Sequence, residues 1–179
     1  DNVKLLSMYN LHVGGRFYNG TWTPYGDTAT GLQDPLMLGY AANKVYKEGT
    51  TVFSETNYWL DLENYPTYVY NSNSTIYNYV ENYKKYLENI GLRINEARLI
   101  SYEELESFGC TYSNQSCIGA PSFIYSTSYW SGTAIFDDGL RVVFSDGSYL
   151  NEFYDGYEFD MSQGVRPVLV VPKSEIKVK

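Results

Sequence analysis

The sequence predicts a single α+β domain that spans residues 1–179. Two segments in the middle of the chain repeat apolar residues at helical spacing, whereas apolar runs typical of strands lie towards both ends. A length of 179 residues fits one domain, and the chain has neither an internal repeat nor a linker composition.

The first part of the chain predicts two strands joined by long connections. The apolar stretch VKLLSMYNLHV, at 3–13, predicts the first strand, and TVFSETNYWL, at 51–60, predicts the second. Residues 14–50 are rich in Gly, Thr and Asn, and WTPYGDTATGLQDP within them predicts an irregular loop. The stretch ENYPTYVYNSNS carries turn-forming residues and predicts a further loop.

The clearest helix is predicted in STIYNYVENYKKYLENIG, where Ser74 can cap the start and Gly91 ends the periodic pattern. Its apolar stripe consists of Ile76, Val80, Tyr83, Leu87 and Ile90. A short strand, EARLI at 96–100, leads into a second helix. There Ser101 and Glu104 match a capping box, and Gly109 marks the end.

The last part of the chain predicts strands at 123–134, 140–150 and 164–172, with DDG and SDG as turn signals. The apolar run Val168 to Val171 predicts a central core strand, and Pro167 lies near its start, where a missing N–H is tolerated.

Cys110 and Cys117 are the two cysteines of the chain, and six residues lie between them. Two cysteines cannot hold a zinc ion alone. Their spacing suits a small loop closed by a disulfide, which would stabilise the fold by about 2.5 kcal/mol and would imply an oxidising compartment. The alternative is two unrelated buried thiols.

The net charge of −8 disfavours nucleic acid and anionic lipid as partners, because an acidic surface repels phosphate. No apolar run approaches the roughly 20 residues of a membrane span, so we expect no membrane contact by this domain itself. The chain starts at Asp1 without a signal peptide, and we expect an anchoring segment upstream of it.

Twenty tyrosines, with frequent Ser, Asn, Gly and Asp, match the composition of antibody binding loops. The alternative is a Tyr-rich extracellular β protein. Catalytic machinery is sparse, since His12 is the only histidine and lies in an apolar strand. The sequence has no phosphate-binding loop, no H-E-x-x-H motif and no EF-hand spacing.

Two hypotheses about acidic residues stay open. Asp155 and Glu158 could act as general acid and base, as paired carboxylates do in glycosidases. Calcium is the one cofactor that the acids could hold, through Asp137, Asp138, Asp155 and Asp160.

Three stretches in order, ARLISYEELESFGC (97–110), APSFIYSTSYWSGTA (120–134) and GVRPVLVV (164–171), carry a family likeness. Together they resemble C-type-lectin-like domains of the formylglycine-generating-enzyme type in bacterial pilin-linked surface proteins. They are also similar to the variable proteins of diversity-generating retroelements. The likeness covers residues 51–172 and is strongest over 97–172.

The resemblance implies paired N- and C-terminal strands, two helices beside mixed or antiparallel sheets, and a loop-rich ligand face. The enzyme branch uses reactive cysteines in its active site, and here the cysteines lie in the loop after the second helix instead. The calcium-dependent sugar-binding motifs, Glu-Pro-Asn or Gln-Pro-Asp with Trp-Asn-Asp, are absent.

The stretch SDGSYLNEFYDGYEFD, at 145–160, holds five carboxylates and five aromatic rings. We expect recognition in the segments Ile135–Arg141 and Tyr149–Met161, since clustered exposed rings mark interaction sites. The alternative is that these rings fill a minor core. The predicted ligand-binding residues are Phe136, Asp137, Asp138, Leu140, Arg141, Tyr149, Asn151, Phe153, Tyr154, Asp155, Tyr157, Phe159 and Asp160.

In retroelement-diversified relatives, randomised AAY codons cannot encode Lys, Gln, Glu, Met or Trp. Residues 135–160 contain two of these, Glu152 and Glu158, which is fewer than ordinary composition gives. Diversification of this region is therefore a hypothesis, with these two glutamates as the fixed positions. The alternative is a Tyr-rich hairpin region of fixed sequence.

The sequence also predicts the environment of three further residues. Trp130 is expected in the core, and Arg166 is expected to pair with a carboxylate, because an unpaired buried charge is costly. Trp22, in the loop NGTWTPYG, is a candidate binding anchor if exposed.

The function expected from the sequence is ligand binding without catalysis by an extracellular domain at a cell surface, as in an adhesin carried on a pilin-like protein. The expected partners are a protein or glycan ligand on another cell or surface, together with pilus subunits. The alternatives are a structural minor-pilin subunit and an enzyme, either a glycosidase or an oxidase of the formylglycine-generating type.

Overall fold

The computed structural model describes residues 1–11, 14–18, 21–26, 40–41, 67–68, 70–72, 77–136, 139–153 and 164–176. Over these ranges the chain is α+β, with two α-helices and antiparallel sheets. The strands are β1 (Asn2–Leu6), β2 (Gly14–Tyr18), β3 (Thr21–Gly26), β4 (Tyr40–Ala41), β5 (Thr67–Tyr68), β6 (Glu96–Arg98), β7 (Tyr129–Phe136), β8 (Gly139–Val143), β9 (Tyr149–Phe153) and β10 (Val168–Pro172). The helices are α1 (Tyr77–Asn89) and α2 (Tyr102–Ser107), and short 3-10 helices form at Ser122–Tyr125 and Lys173–Glu175.

The first sheet, called the terminal sheet below, joins the two ends of the described chain in the order β1-β10-β6. Val3 pairs with Val171 on one side of β10, and Ala97 pairs with Leu169 on the other. All four residues from Val168 to Val171 are buried, as expected for a central strand. The predicted core strand and the pairing of the terminal strands are both confirmed.

The second sheet, called the hairpin sheet below, has the order β5-β7-β8-β9. Its register shifts between Trp130 and Ala134 of β7, so the strand is irregular there. Within that stretch, Gly132 N–H donates to the Ile100 carbonyl at 2.8 Å. The irregular part of β7 therefore ties the hairpin sheet to the segment between β6 and α2.

A third sheet, in the order β3-β2-β4, corrects the first part of the irregular loop predicted at 22–35, because β3 covers Thr21–Gly26. Phe17 pairs with Trp22, so Trp22 lies in a strand rather than a loop. Glycine and proline led to the loop prediction, but a register shift between Gly14 and Gly15 lets Pro24 be accommodated in the hairpin. The side chains of this sheet lie outside the described residues, as does His12.

The first helix follows its predicted stripe in part. Val80, Tyr83 and Leu87 are buried, as expected, and Gly91 ends the helix with φ +97°. Ile90 was predicted in the apolar stripe, but α1 ends at Asn89 and the Ile90 side chain is 60% exposed. The predicted cap Ser74 and the stripe residue Ile76 lie outside the described residues, as does the predicted strand at 51–60.

The second helix forms as its capping box predicts. The Ser101 hydroxyl accepts from Glu104 N–H at 3.3 Å, and the Glu104 carboxylate accepts from Ser101 N–H at 3.0 Å. Gly109, with φ +103°, follows the helix in the predicted place.

The strand boundaries differ from prediction at several places, and the strands predicted at 96–100 and 164–172 are shorter, at Glu96–Arg98 and Val168–Pro172. The strand predicted at 3–13 ends at Leu6, and the chain beyond it makes a single bridge-type pairing at Leu11. The stretch predicted as one strand at 123–134 begins with a 3-10 helix, because Pro121 starts a tight turn in which Ile124 N–H donates to the Pro121 carbonyl. The SDG turn divides 140–150 into β8 and the start of β9.

Two buried clusters form the described core. The first packs α1 against the terminal sheet and contains Trp130, which is 0% exposed, so its predicted core position is confirmed. The second lies beneath α2 and the disulfide, around Leu105, Ile124 and Tyr129.

Candidate functional site

The described parts of the two predicted recognition segments meet in the hairpin sheet. Phe136 of β7 pairs with Gly139 of β8, and Gly139 in turn pairs with Phe153 of β9. Arg141 pairs with Asn151 in the same register. The strand backbones therefore bring residues 139–141 alongside residues 151–153, next to the end of β7.

The predicted ligand-binding residues fall into three groups. Arg141 and Tyr149 are described in full. For four others only the strand position is described, and these are Phe136, Leu140, Asn151 and Phe153. The remaining residues lie outside the described ranges, and these are Asp137, Asp138, Tyr154, Asp155, Tyr157, Phe159 and Asp160.

Arg141 is fully buried at the centre of a stack of aromatic rings. Its guanidinium carbon lies 4.3 Å from the ring centroid of Tyr112 and 4.6 Å from that of Tyr149. Nη1 donates to the Tyr149 carbonyl at 2.8 Å. Burial lowers the pKa of Arg141, and the neighbouring tyrosines oppose this shift. The ring faces thus supply attraction for the cation in place of a carboxylate.

Tyr149 extends the stack towards α2. Its ring is stacked on that of Tyr102 with the centroids 6.4 Å apart, and burial raises the pKa of the Tyr149 phenol. The Tyr102 hydroxyl donates to Glu106 at 2.6 Å, and burial together with this carboxylate raises the pKa of Tyr102 to about 12.

Arg141 and Tyr149 expose no surface to solvent as the fold stands. Contact between a ligand and either side chain would need the stack above them to open. Their described contacts instead join β8 to β9, the strands that hold the described parts of the predicted recognition segments.

The disulfide is confirmed between Cys110 and Cys117. The loop that it closes lies along the turn between β8 and β9, where Cys117 N–H donates to the Gly147 carbonyl at 2.7 Å. Tyr149 N–H donates to the Gln115 carbonyl at 2.8 Å, and Ser116 bridges to Ser148. The disulfide loop therefore holds the first residue of β9.

The carboxylate of Asp146 stabilises the turn between β8 and β9. Asp146 accepts from the backbone N–H and the hydroxyl of Ser148, at 2.8 and 2.6 Å. These hydrogen bonds lower the pKa of the Asp146 carboxyl. The SDG turn signal is thus confirmed, and Asp146 is part of the turn that leads into β9.

Arg166 corrects the prediction of a carboxylate partner. Nε donates to the Ser7 carbonyl at 2.6 Å and Nη1 to the Ile124 carbonyl at 3.1 Å. The guanidinium also lies 5.0 Å from the centroid of the Tyr129 ring. Carbonyl oxygens and an aromatic face stabilise this buried cation, and burial lowers the pKa of Arg166.

A cavity of about 220 Å³ lies beside α1, β5 and β6, and sequence reasoning did not predict it. It is lined by Tyr68, Tyr70, Asn71, Tyr77, Glu81, Lys84, Asn95, Glu96, Ala97 and Arg98. The alternation in Thr-Tyr-Val-Tyr at 67–70 was an available signal of a strand with adjacent tyrosines. Turn-forming residues on both sides led to the prediction of a loop.

No group of three or more His, Cys, Asp or Glu side chains in the described ranges could hold a metal ion. The four acids of the calcium hypothesis lie outside those ranges, so that hypothesis stays a prediction. Neither described helix combines the length and apolar character that crossing a bilayer needs.

Comparison with known proteins gives no match among family models, curated proteins or solved structures.

Proposed function

We propose that this chain is an extracellular ligand-binding domain of C-type-lectin-like fold that carries out no chemistry. Residues 135–141 and 149–161 form its recognition surface. The observation that supports this most is the pairing of β7, β8 and β9, which joins the described parts of the two segments on one sheet.

The described part of these strands is held by contacts that suit a recognition surface. Arg141 is buried between two tyrosine rings, and the disulfide loop holds the amide of Tyr149. A binding surface on a fixed scaffold loses less conformational entropy when a ligand binds, so its affinity is higher. The rings of the recognition segments would supply contact area, and the acids would set orientation.

The extracellular setting and the partner belong to the same proposal. The Cys110–Cys117 disulfide supports an oxidising compartment. The ligand is a protein or glycan on another cell or surface, and the domain acts as an adhesin carried on a pilin-like protein. The paired terminal strands and the two helices are compatible with the lectin-like fold.

Retroelement diversification of residues 135–160 is part of this proposal. It predicts a reverse-transcriptase gene beside a near-copy of the DNA for these residues, differing at adenines. Sequencing of the flanking genome tests it, and an intact locus without that gene pair would remove diversification while leaving ligand binding untouched.

The binding test uses arrays of extracellular proteins and of glycans probed with the labelled domain. We expect the wild-type domain to bind at least one array member and the Tyr154→Ala, Tyr157→Ala variant to lose that binding. The matched control is Tyr86→Ala on α1, whose side chain is 44% exposed and which is not part of the recognition segments. Loss of binding in both variants, or in neither, would contradict the proposed surface.

A turnover assay with the same domain distinguishes ligand binding from catalysis. We expect no turnover of a panel of glycosides by the wild-type protein. Turnover that disappears in Asp155→Asn, Glu158→Gln would establish a glycosidase and overturn the proposal. Failure of pilus assembly in Tyr154→Ala, Tyr157→Ala with unchanged array binding would instead support a structural pilin subunit.

A further inference from the structure

We propose that the terminal sheet binds an extended peptide segment of a partner protein as an added strand beside β1, and that this segment combines apolar residues with Lys or Arg. β1 is an outer strand of that sheet, in the order β1-β10-β6. Neither β1 nor the cavity beside it contains a residue of the recognition segments 135–141 and 149–161. The edge of β1 is therefore a second site, independent of the proposed recognition surface.

One side of β1 is bonded to β10, and the other side is open in the part of the chain that the structure describes. Ser7 N–H donates to the Pro167 carbonyl at 2.9 Å, so the odd-numbered residues of β1 bond to β10. Backbone groups alternate in direction along an antiparallel strand, so the N–H and C=O groups of Asn2, Lys4 and Leu6 point away from β10. A row of outward donors and acceptors is a template for an extended chain.

A cavity of about 190 Å³ lies between β1 and the end of α2. The apolar part of its lining consists of Leu6, Ile100, Phe108 and Val168. Leu6 pairs with Val168 across the sheet, so their side chains share one face. Alternate side chains of an added strand would lie on that same face, and the cavity has room for one of them. Its lining favours an apolar side chain such as Val or Leu.

The opposite face of β1 also favours an apolar neighbour. Leu5 lies on that face within the strand, and its side chain is 41% exposed. A residue of the added strand that points to this face would cover part of Leu5 and remove apolar surface from water. The edge therefore suits a short segment with apolar residues on both of its faces.

Charge favours a basic segment over a second copy of this chain. The chain has a net charge of −8, so two copies repel each other. A lysine on an edge strand usually discourages pairing, but Lys4 contacts the Glu104 carboxylate at 2.7 Å and is neutralised by it. Glu103 is exposed and lies one turn before Ser107, a residue of the cavity lining. Lys or Arg beside the apolar residues of the segment would face this carboxylate.

The test measures binding of a fluorescein-labelled peptide, Lys-Thr-Val-Leu-Val-Thr-Lys, by fluorescence anisotropy. We expect saturable binding to the wild-type domain, and binding at least about fivefold weaker when both Lys are replaced by Glu. Lys4→Pro should weaken binding at least about tenfold, because proline removes the outward N–H and its ring blocks the edge. The fold should tolerate this proline, since the N–H that it removes does not bond to β10.

The matched control is Lys4→Ala, which removes the same charge but keeps the backbone N–H. It should change the affinity for the peptide by less than about twofold, as for an exposed side chain. The Tyr154→Ala, Tyr157→Ala variant should bind the peptide as the wild type does. Failure of array binding would therefore leave the β1 edge intact, and failure of peptide binding would leave the recognition surface intact.

Amide hydrogen exchange of the wild-type protein keeps the proposal testable if Lys4→Pro does not fold. In the free domain, the N–H groups of Lys4 and Leu6 should exchange faster than those of Val3 and Leu5, which face β10. A saturating amount of the peptide should slow exchange at Lys4 and Leu6 at least about tenfold.

Four results would overturn the proposal. The first is no saturable binding of the peptide, or tighter binding of the version with Glu. The second is an equal loss of affinity in Lys4→Pro and Lys4→Ala, which would assign the effect to the side chain. The third is slow exchange at Lys4 and Leu6 in the free monomer, since another part of the chain would then cover the edge. The fourth is a dimer of the free domain in sedimentation equilibrium with the same two N–H groups protected, which would assign the edge to a second copy.

Discussion

Two buried arginines fix the described sheets, and the partners recorded for them are carbonyl groups and tyrosine rings rather than carboxylates. Arg166 donates hydrogen bonds to the carbonyls of Ser7 and Ile124, and so joins the end of β1 to the 3-10 helix at Ser122–Tyr125. Arg141 joins β8 to β9 through the Tyr149 carbonyl. Guanidinium is planar and weakly hydrated, so it tolerates such surroundings better than an ammonium group does.

The first prediction concerns the planar guanidinium of Arg166, whose N–H groups point in different directions. Arg166→Lys should lower the free energy of unfolding by about 2–4 kcal/mol, because one ammonium cannot replace the two divergent hydrogen bonds or the ring contact. Urea denaturation measures the change. The control is Arg93→Lys, whose 68% exposed side chain pairs with Glu175 and should change stability by less than about 0.5 kcal/mol. Equal effects at both positions would contradict this role of Arg166.

At the scale of elements, Glu104 connects α2 to both edge strands of the terminal sheet. Its carboxylate contacts Lys4 of β1 at 2.7 Å and Arg98 of β6 at 2.7 Å, and it also accepts from Ser101 N–H. Burial alone raises the pKa of Glu104, but the hydrogen bonds from Arg98, Lys4 and Ser101 lower it to about 2.

The second prediction is a loss of stability in acid. The folded pKa of Glu104 is below its ordinary value of 4.5, so its contribution is complete above that pH and disappears as the pH falls towards 2. At neutral pH, Glu104→Gln should lower the free energy of unfolding by about 2 kcal/mol, as for lost hydrogen bonds to a charged group.

Denaturation curves between pH 2 and 7 should show the difference between wild type and Glu104→Gln shrinking below pH 4.5. Glu103→Gln, an exposed neighbour on the same helix, serves as the control and should change stability by less than about 0.5 kcal/mol. A constant difference across this pH range would show that the carboxylate charge is not the cause.

The disulfide loop is the second connecting element, since it carries the carbonyl that holds the first residue of β9. The third prediction is that Cys110→Ser, Cys117→Ser lowers the free energy of unfolding by about 2.5 kcal/mol. Amide hydrogen exchange should accelerate at Tyr149, whose N–H donates to Gln115, more than at Leu169 of β10. Uniform acceleration over both strands would mean that the loop has no particular hold on β9.

At the scale of the whole molecule, signals that act over a few residues were readable from the sequence. Ser101 with Glu104, Gly91, the SDG turn and the disulfide all depend on near neighbours in the chain, and each is confirmed. The apolar run of β10 was readable because a strand that is covered on both faces buries consecutive side chains, and the run is short and rich in β-branched Val.

Features that depend on distant residues were not readable. Arg166 donates to the carbonyl of Ser7, which is 159 residues away in the sequence. No local sequence pattern predicts such a partner. The cavity beside α1, β5 and β6 combines Tyr68 with residues of α1 and β6, which only the folded chain brings together. Ile90 continued the apolar period, but the helix ended one residue earlier and left it in solvent.

We propose that the rings after β9 are displayed for recognition rather than buried in a minor core. The most direct measurement is the free energy of unfolding of a variant with Tyr154, Tyr157 and Phe159 all changed to Ser. Displayed rings predict a change of less than about 1 kcal/mol, as for surface substitutions. A loss of more than about 3 kcal/mol per ring, as in large-to-small core substitutions, would contradict the account.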